Sequence, residues 1–216
     1  DSRREKNKQR QNTASFLPVP AEQQVPQPFV LQGMECYTFM LEASAPGALQ
    51  DYVDRTLNSV TEGAVCYRVL MNHVIVYMSP IARMYSAAEG LNAGWTSDDD
   101  AGFWILLGEY EFPEDHVEED LKAGQFLKKI ILFPVGLYVG SSYTLISGRE
   151  IYGFPKCLGS HVMPQTPYDE GPFSVQTLLA RKYNIEHEFE QGEVWSIHHK
   201  HGETFQLPPE CKDLWF

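Results

Sequence analysis

Short runs rich in apolar, β-branched and aromatic residues, separated by glycine, proline and acidic clusters, make up much of this chain. "MECYTFMLEA" (34–43) is rich in aromatic and large apolar residues and short enough for a strand. "APGALQDYVDRTLNSV" (45–60) instead repeats its apolar residues at helical spacing, through Leu49, Tyr52, Val53, Leu57 and Val60. From Ala64 to Ser86 β-branched and aromatic residues return, and a turn expected at Asn72-His73 divides the run into a hairpin. "TSDDDA" (96–101) reads as an acidic loop leading into the strand "GFWILLGEYEF" (102–112). "PEDHVEEDLKAGQFLKK" (113–129) is a candidate helix, with Pro113 suited to its first turn and Gly124 weakening it. The remaining runs, "IILFPVGLYV", "YTLISGRE", "FSVQTLLARKYNIEHEFE", "EVWSIHHK" and "ETFQL", all read as strands between turns. The pattern predicts a mainly β (α+β) fold: a curved antiparallel sheet or β-barrel with one or two peripheral helices.

Length and charge narrow the classes. At 216 residues the chain suits one sizeable domain. Residues 1–28, polar and then proline-rich, are expected to be extended or disordered, which leaves 29–216 as a single domain. Seventeen basic against twenty-nine acidic residues give a net charge of −12, which repels nucleic acid and anionic membrane surfaces. The most apolar stretch, "IILFPVGLYVGSSYTLI", is interrupted by Pro134, Gly136 and Gly140, so no membrane span is expected. Four scattered cysteines, Cys36, Cys66, Cys157 and Cys211, show no CxxC spacing and favour a reduced, cytoplasmic setting.

One segment carries candidate chemistry. In "ISGREIYGFPKCLG" (146–159) a single lysine, Lys156, follows Phe154-Pro155 among apolar residues. An amine is a nucleophile only when neutral, and at its ordinary pKa of ~10.4 only about one lysine in 2,500 is neutral at pH 7. Burial disfavours the ammonium and lowers such a pKa by roughly 3 to 5 units in a fully desolvated site. Pro155 stiffens the approach to Lys156, while Gly153 and Gly159 permit tight turns on either side. The placement is therefore compatible with a reactive amine, with a lysine snorkelling to water, and with one paired to Glu150.

"GREIYGFPKCLG" resembles the signature of the acetoacetate decarboxylase family at Gly148, Arg149, Glu150, Pro155, Lys156, Leu158 and Gly159. The resemblance extends more loosely over residues 30 to 160. It implies a barrel-like β fold, Lys156 as a Schiff-base lysine, and decarboxylation of a small β-keto acid or related carbonyl compound, with the imine as electron sink and no cofactor or metal. It also implies a role for glutamates in the strands before the signature, so Glu109 and Glu111 are candidate acid/base groups; Arg149, Tyr110, Tyr152 and Phe154 are candidate substrate contacts. Strand alternation sends Glu109 and Glu111 to one face and Tyr110 to the other. The expected partners are a small-molecule carbonyl substrate and further copies of the chain. Two departures stand out: Cys157 replaces the usual second lysine, and Met34 stands where an early arginine is expected. Cys157 is expected to be a buried apolar thiol. These departures admit two other outcomes, a non-catalytic small-molecule-binding protein and a Schiff-base aldolase, dehydratase or cyclase acting on a larger natural-product intermediate.

Three further features are weaker. His198, His199 and His201 lie close together, His161 falls five residues after Lys156, and "TSDDDA" is acidic, but none has the spacing of a known metal site.

Overall fold

A computed structural model describes residues 28–45, 47–61, 65–88, 94–111, 126–164, 171–182 and 188–198. Among the described residues, ten strands form two sheets. The larger is built on two long antiparallel strands, β4 (His73–Ser86) and β5 (Thr96–Tyr110), with β6 (Leu127–Val139) beyond β5. Two short strands, β1 (Phe29–Met34) and β2 (Tyr37–Glu42), lie end to end along β4, facing its second and first halves. β7 (Lys156–Leu158) closes the far edge and runs parallel to β6. The smaller sheet holds β8 (Ser160–Val162), β9 (Pro172–Lys182) and β10 (Glu188–His198), all antiparallel. The described residues thus form a mainly β fold of two sheets that close no barrel.

The helical spacing at 45–60 is realised as α1, a continuous helical segment made of Ala48–Val53, a π-helical stretch Asp54–Asn58 and Ser59–Thr61. Val53 is fully buried against Ile105 and Leu107, with Leu49 and Leu57 beside it, whereas Val60 points outward. A second helical segment, α2, joins Ser142–Ile146 to Ser147–Ile151.

Several expectations need correction. β3 (Cys66–Val69) and β4 do not form a hairpin; the chain bends over Leu70–Asn72, and both strands then pair with β5, one beyond the other. "YTLISGRE" is helical, not extended: its β-branched and aromatic residues favour a strand locally, but its inward positions, Thr144, Ser147 and Gly148, are spaced three and four apart. "TSDDDA" is the first part of β5 rather than a loop. Leu127–Lys129 belong to β6, not to a helix, and 112–125 lie outside the described residues, as do residues 1–27.

β5 explains the layering. Alternation directs Ala101, Phe103, Ile105 and Leu107 to one face and Asp98, Asp100 and Gly102 to the other. The first face is covered twice. The small sheet packs over its Ala101 end, where Phe173 lies 5.0 Å from Tyr37 and 4.8 Å from Phe39 between ring centroids. α1 covers the Ile105–Leu107 end. Phe173 is 4% exposed and joins the two sheets, so truncating it removes both the buried ring and its aromatic contacts. Phe173→Ala is expected to cost roughly 3–5 kcal/mol in urea-unfolding free energy; a loss under about 1 kcal/mol would show that the sheets are held elsewhere.

Candidate functional site

The second face of the larger sheet carries the site. Parallel pairing of β7 with β6 requires a crossover, and α2 is that crossover. The chain leaves β6 through Gly140, whose N–H donates to the Asp99 carbonyl at 3.0 Å and to Asp98 Oδ1 at 2.9 Å. It enters α2 after Ser141, which is extended. At the other end Gly153 adopts a left-handed conformation (φ 69°), the N–H of Gly153 donates to the Arg149 carbonyl, and that of Phe154 to Gly148. This is a glycine-capped helix end, each bond spanning one residue more than in the usual glycine cap of an α-helix because the last turn is π-helical. Pro155 then presents its carbonyl to the N–H of Leu137 at 3.1 Å, and β7 begins at Lys156 opposite Leu137.

The signature residues therefore act as a positioning device. Gly148 is buried in α2, directly over the lysine: a Cβ placed there would lie 2.4 Å from Lys156 Cδ and 2.7 Å from Cε. The stem of Lys156 passes through the space that the glycine leaves open. After β7, Gly159 is the corner at which the chain passes from the larger sheet to the smaller, where an added Cβ would come within 3.2 Å of Tyr138 and Val175. The Gly159 N–H donates to the Val139 carbonyl at 3.0 Å, and Thr177 Oγ1 to that of Leu158 at 2.6 Å.

Lys156 is 9% exposed and lines a cavity of about 430 Å³ between the sheet and α2. Phe29, Leu31, Ile81 and Met84 form its floor on β1 and β4, and Tyr143, Tyr152 and Phe154 its other side. The polar lining is Asp98, Asp100, Thr144 and Ser147 together with the lysine. Asp98 Oδ2, Asp100 Oδ1, Thr144 Oγ1 and Ser147 Oγ are all buried without a hydrogen-bond partner among the described residues. Four orphaned polar atoms at one cavity are uncommon in a folded protein and mark a place where a ligand or water completes the hydrogen bonding.

Burial sets the acidities. It pushes the Asp100 carboxyl up to about 6, against the opposing pull of Lys156 and with a further upward push from Asp98. Asp98 is also raised by burial; the Thr144 hydroxyl, near it without closing a hydrogen bond of ordinary length, and the Gly140, Asp99 and Ser141 amides oppose the rise. Tyr77, opposite Gly102 on β4, is raised strongly by burial and then by Asp100.

Of the residues singled out from the sequence, Lys156, Phe154 and Tyr152 meet at this cavity. The others do not. Glu109 lies nine residues beyond Asp100 on β5, roughly 30 Å away at ~3.3 Å per residue. It is ion-paired with Lys129 at 3.1 Å and accepts from the Tyr67 hydroxyl at 3.3 Å. Glu111 is exposed past the end of β5, and Tyr110 is buried at that same distant end. Arg149 is exposed on the outer side of α2. Cys157 is exposed rather than buried, because strand alternation turns it away from the face that Lys156 occupies. Met34 is 45% exposed at the end of β1 and does not line the cavity. His161 stands on β8 with Nε2 3.1 Å from the Tyr138 carbonyl, and burial lowers its pKa. His199 and His201 lie outside the described residues, among which no three His, Cys, Asp or Glu side chains converge as a metal site. No helix among them is long and apolar enough to cross a membrane.

The acids that sequence reasoning missed are Asp98 and Asp100. Their signal was present in "TSDDDAGFWILLG": no proline or turn pair separates the acidic run from the apolar run, so one strand can hold both.

No protein-family model matches the chain, and no curated protein does. One solved structure that is similar, an acetoacetate decarboxylase from Legionella pneumophila, superposes with a TM-score of 0.47 at 12% identity. The match covers 77% of this chain and 51% of that one, so the chain spans about half the length of that protein. What Lys156 can do follows from the cavity itself.

Two outcomes test this geometry. Gly148→Ala is expected to displace the lysine stem, a flexible neighbour, rather than unfold the helix, so the circular dichroism spectrum stays native while the acylation rate of Lys156, read by peptide mapping, changes severalfold. An unchanged rate would show that the stem does not depend on the glycine. The second outcome concerns pH. Between about pH 4 and pH 6 folded Asp100 holds a proton that the unfolded chain has released, so its stabilising contribution is full below pH 4 and is lost as pH rises through 6. Relative to wild type, Asp100→Asn should therefore gain on the order of 3 kcal/mol in unfolding free energy between pH 4 and pH 7. A pH-independent difference in urea titrations would contradict it.

Proposed function

We propose that the protein is a Schiff-base enzyme in which Lys156 condenses with a small carbonyl compound. The observation that carries this reading is a lysine set at the wall of an apolar cavity, with no ion pair or hydrogen bond to its amine among the described residues. An isolated lysine head group at a protein surface is ordinarily solvated, and one held inside a cavity with several convergent polar groups is a functional candidate. Condensation with a ketone or aldehyde releases water and gives an imine, whose protonated form draws electrons from the adjacent carbon. Loss of carbon dioxide from a β-keto acid, the reaction that the signature implies, is one use of that sink; aldol cleavage and dehydration are others. In its decarboxylating use the enzyme would be a carbon–carbon lyase, with the imine itself as electron sink. The aromatic side chains Tyr152 and Phe154, 6.2 Å apart between centroids, offer a hydrophobic wall beside the imine.

Borohydride reduction tests the reading. Incubated with a panel of ketones, aldehydes and β-keto acids and then reduced, the protein is expected to gain the mass of one reduced adduct, mapped to Lys156, and Lys156→Arg to gain none. A folded wild-type protein that forms no adduct across the panel is a binding protein rather than an enzyme of this class.

A further inference from the structure

The charge around the cavity narrows what can enter it. Three charged side chains line it, Asp98, Asp100 and Lys156. The other titratable groups in its wall are the phenols of Tyr143 and Tyr152, while the β1 and β4 residues of the floor are uncharged. Behind the floor, Tyr77 feels Asp100 but carries no charge near neutrality. Arg149, a candidate substrate contact, is outside, Met34 stands where an early arginine was expected, and apart from Lys156 no arginine or lysine among the described residues lines the space. With both acids ionised the wall has a net negative charge even when the lysine is protonated, and a more negative one when its amine is free to react. A carboxylate brought in beside them meets repulsion that the low-polarity surroundings strengthen.

The acids are also placed to act. They are two apart on β5 and so share a face, which is the face of Lys156 by its register through Leu137 and Gly102. Between the acids and the lysine in the register stand Gly102 and Leu137, and the Leu137 and Tyr77 side chains pack over Gly102. Lys156 opposes the rise in the Asp100 pKa, yet no ion pair joins the two among the described residues, and both line the same cavity. Asp98, 5% exposed, keeps Oδ1 on the Gly140 and Asp99 amides and turns an unpartnered Oδ2 inward; Ser147, 6% exposed, has an unpartnered hydroxyl.

From the shared face, the unpaired carboxylates and the missing cation, we infer that the site acts on uncharged ketones or aldehydes rather than β-keto acids, with Asp100 moving the proton on the carbon next to the imine. This rests on the Schiff-base reading above. The amine of Lys156 adds to the carbonyl carbon, and loss of water gives the imine. Once that imine is protonated, the Asp100 carboxylate removes a proton from the neighbouring carbon. The C–H electron pair becomes the new carbon–carbon double bond, the C=N π pair moves to nitrogen, and a neutral enamine forms beside the Asp100 carboxylic acid. Return of the proton, or of a deuteron from solvent, regenerates the imine, and water releases the ketone. Burial suits Asp100 to this exchange, since a base poised near neutrality both accepts and returns a proton.

Acetoacetate and its methyl ester test charge selection with the reacting ketone held constant. After correction for their reactivity with N-acetyl-lysine methylamide, the ester is expected to label Lys156 under borohydride at pH 7.5 on the order of ten to a hundred times faster than the acid. The preference should shrink in Asp100→Asn, in which one negative charge is absent. In deuterium oxide, acetone should exchange its methyl protons in the presence of the wild-type protein, as read by NMR. Asp100→Asn should still form the trapped adduct with the ester but lose at least about tenfold in exchange rate, a split that a merely structural role would not produce. Equal or faster labelling by acetoacetate overturns the inference and leaves the Schiff base standing. Exchange that survives in Asp100→Asn removes Asp100 from the proton transfer. Labelling by neither compound overturns both the inference and the Schiff-base reading.

Discussion

A strand parallel to its neighbour cannot be reached by a tight turn, and pairing Leu137 with Lys156 therefore obliges residues 140–155 to travel back along β6 before β7 begins. Much of the site depends on that constraint. The returning chain becomes α2, lies over the face that carries Asp98 and Asp100, and encloses the cavity it helps to line. Because the helix must end just before the strand, its cap, its proline and its lysine fall within four residues, Gly153 to Lys156. The same crowding brings Gly148, one turn back, over the lysine stem, a position where any larger residue would occupy the path of the methylenes.

What could be read from the sequence and what could not divide along physical lines. Helical periodicity at 45–60 and the strand runs at 34–43, 130–139 and 173–182 were legible because each buries apolar residues in a recurring pattern, whereas the run read as continuing to 190 belongs from Glu188 to a separate strand, β10. Pairing was less legible. Nothing local distinguishes a β3–β4 hairpin from two strands laid in line against β5, because the choice is made by contacts with residues some forty positions away, such as Tyr67 opposite Glu109. α2 was misread for the opposite reason. Tyr143, Thr144 and Ile146 favour extended structure locally, and the crossover overrides that preference.

At the site, the lysine was legible and its neighbours were not. Lys156 announced itself as a cation in an apolar segment, an inconsistency visible without coordinates. Asp98 and Asp100 did not, because acidic residues in series are ordinarily a solvated turn. Their burial follows from the length of β5, fifteen residues, which carries the sheet on past its apolar stretch and under α2. Near the other end of that strand Glu109 has a complete structural role with Lys129 and Tyr67 and no orphaned oxygen. Satisfied charge and unsatisfied charge on one strand thus mark its two ends as different in kind.

That contrast bears on why two buried carboxylates are tolerated. An isolated ionised acid in an apolar space costs several kcal/mol, and proteins usually avoid the expense by pairing or neutralising it. Asp98 is partly compensated by the amide of its neighbour Asp99 and by that of Gly140, which the turn into α2 supplies. Among the described residues Asp100 has no such anchor at Oδ1, and the cation that acts on it is the lysine. Full pairing with Lys156 would relieve both groups and at the same time hold the amine as ammonium. The sheet register holds them two strands apart instead, so neither quenches the other. Incomplete compensation is a poor way to stabilise a fold and a workable way to keep one amine and one carboxylate available to a third molecule placed between them.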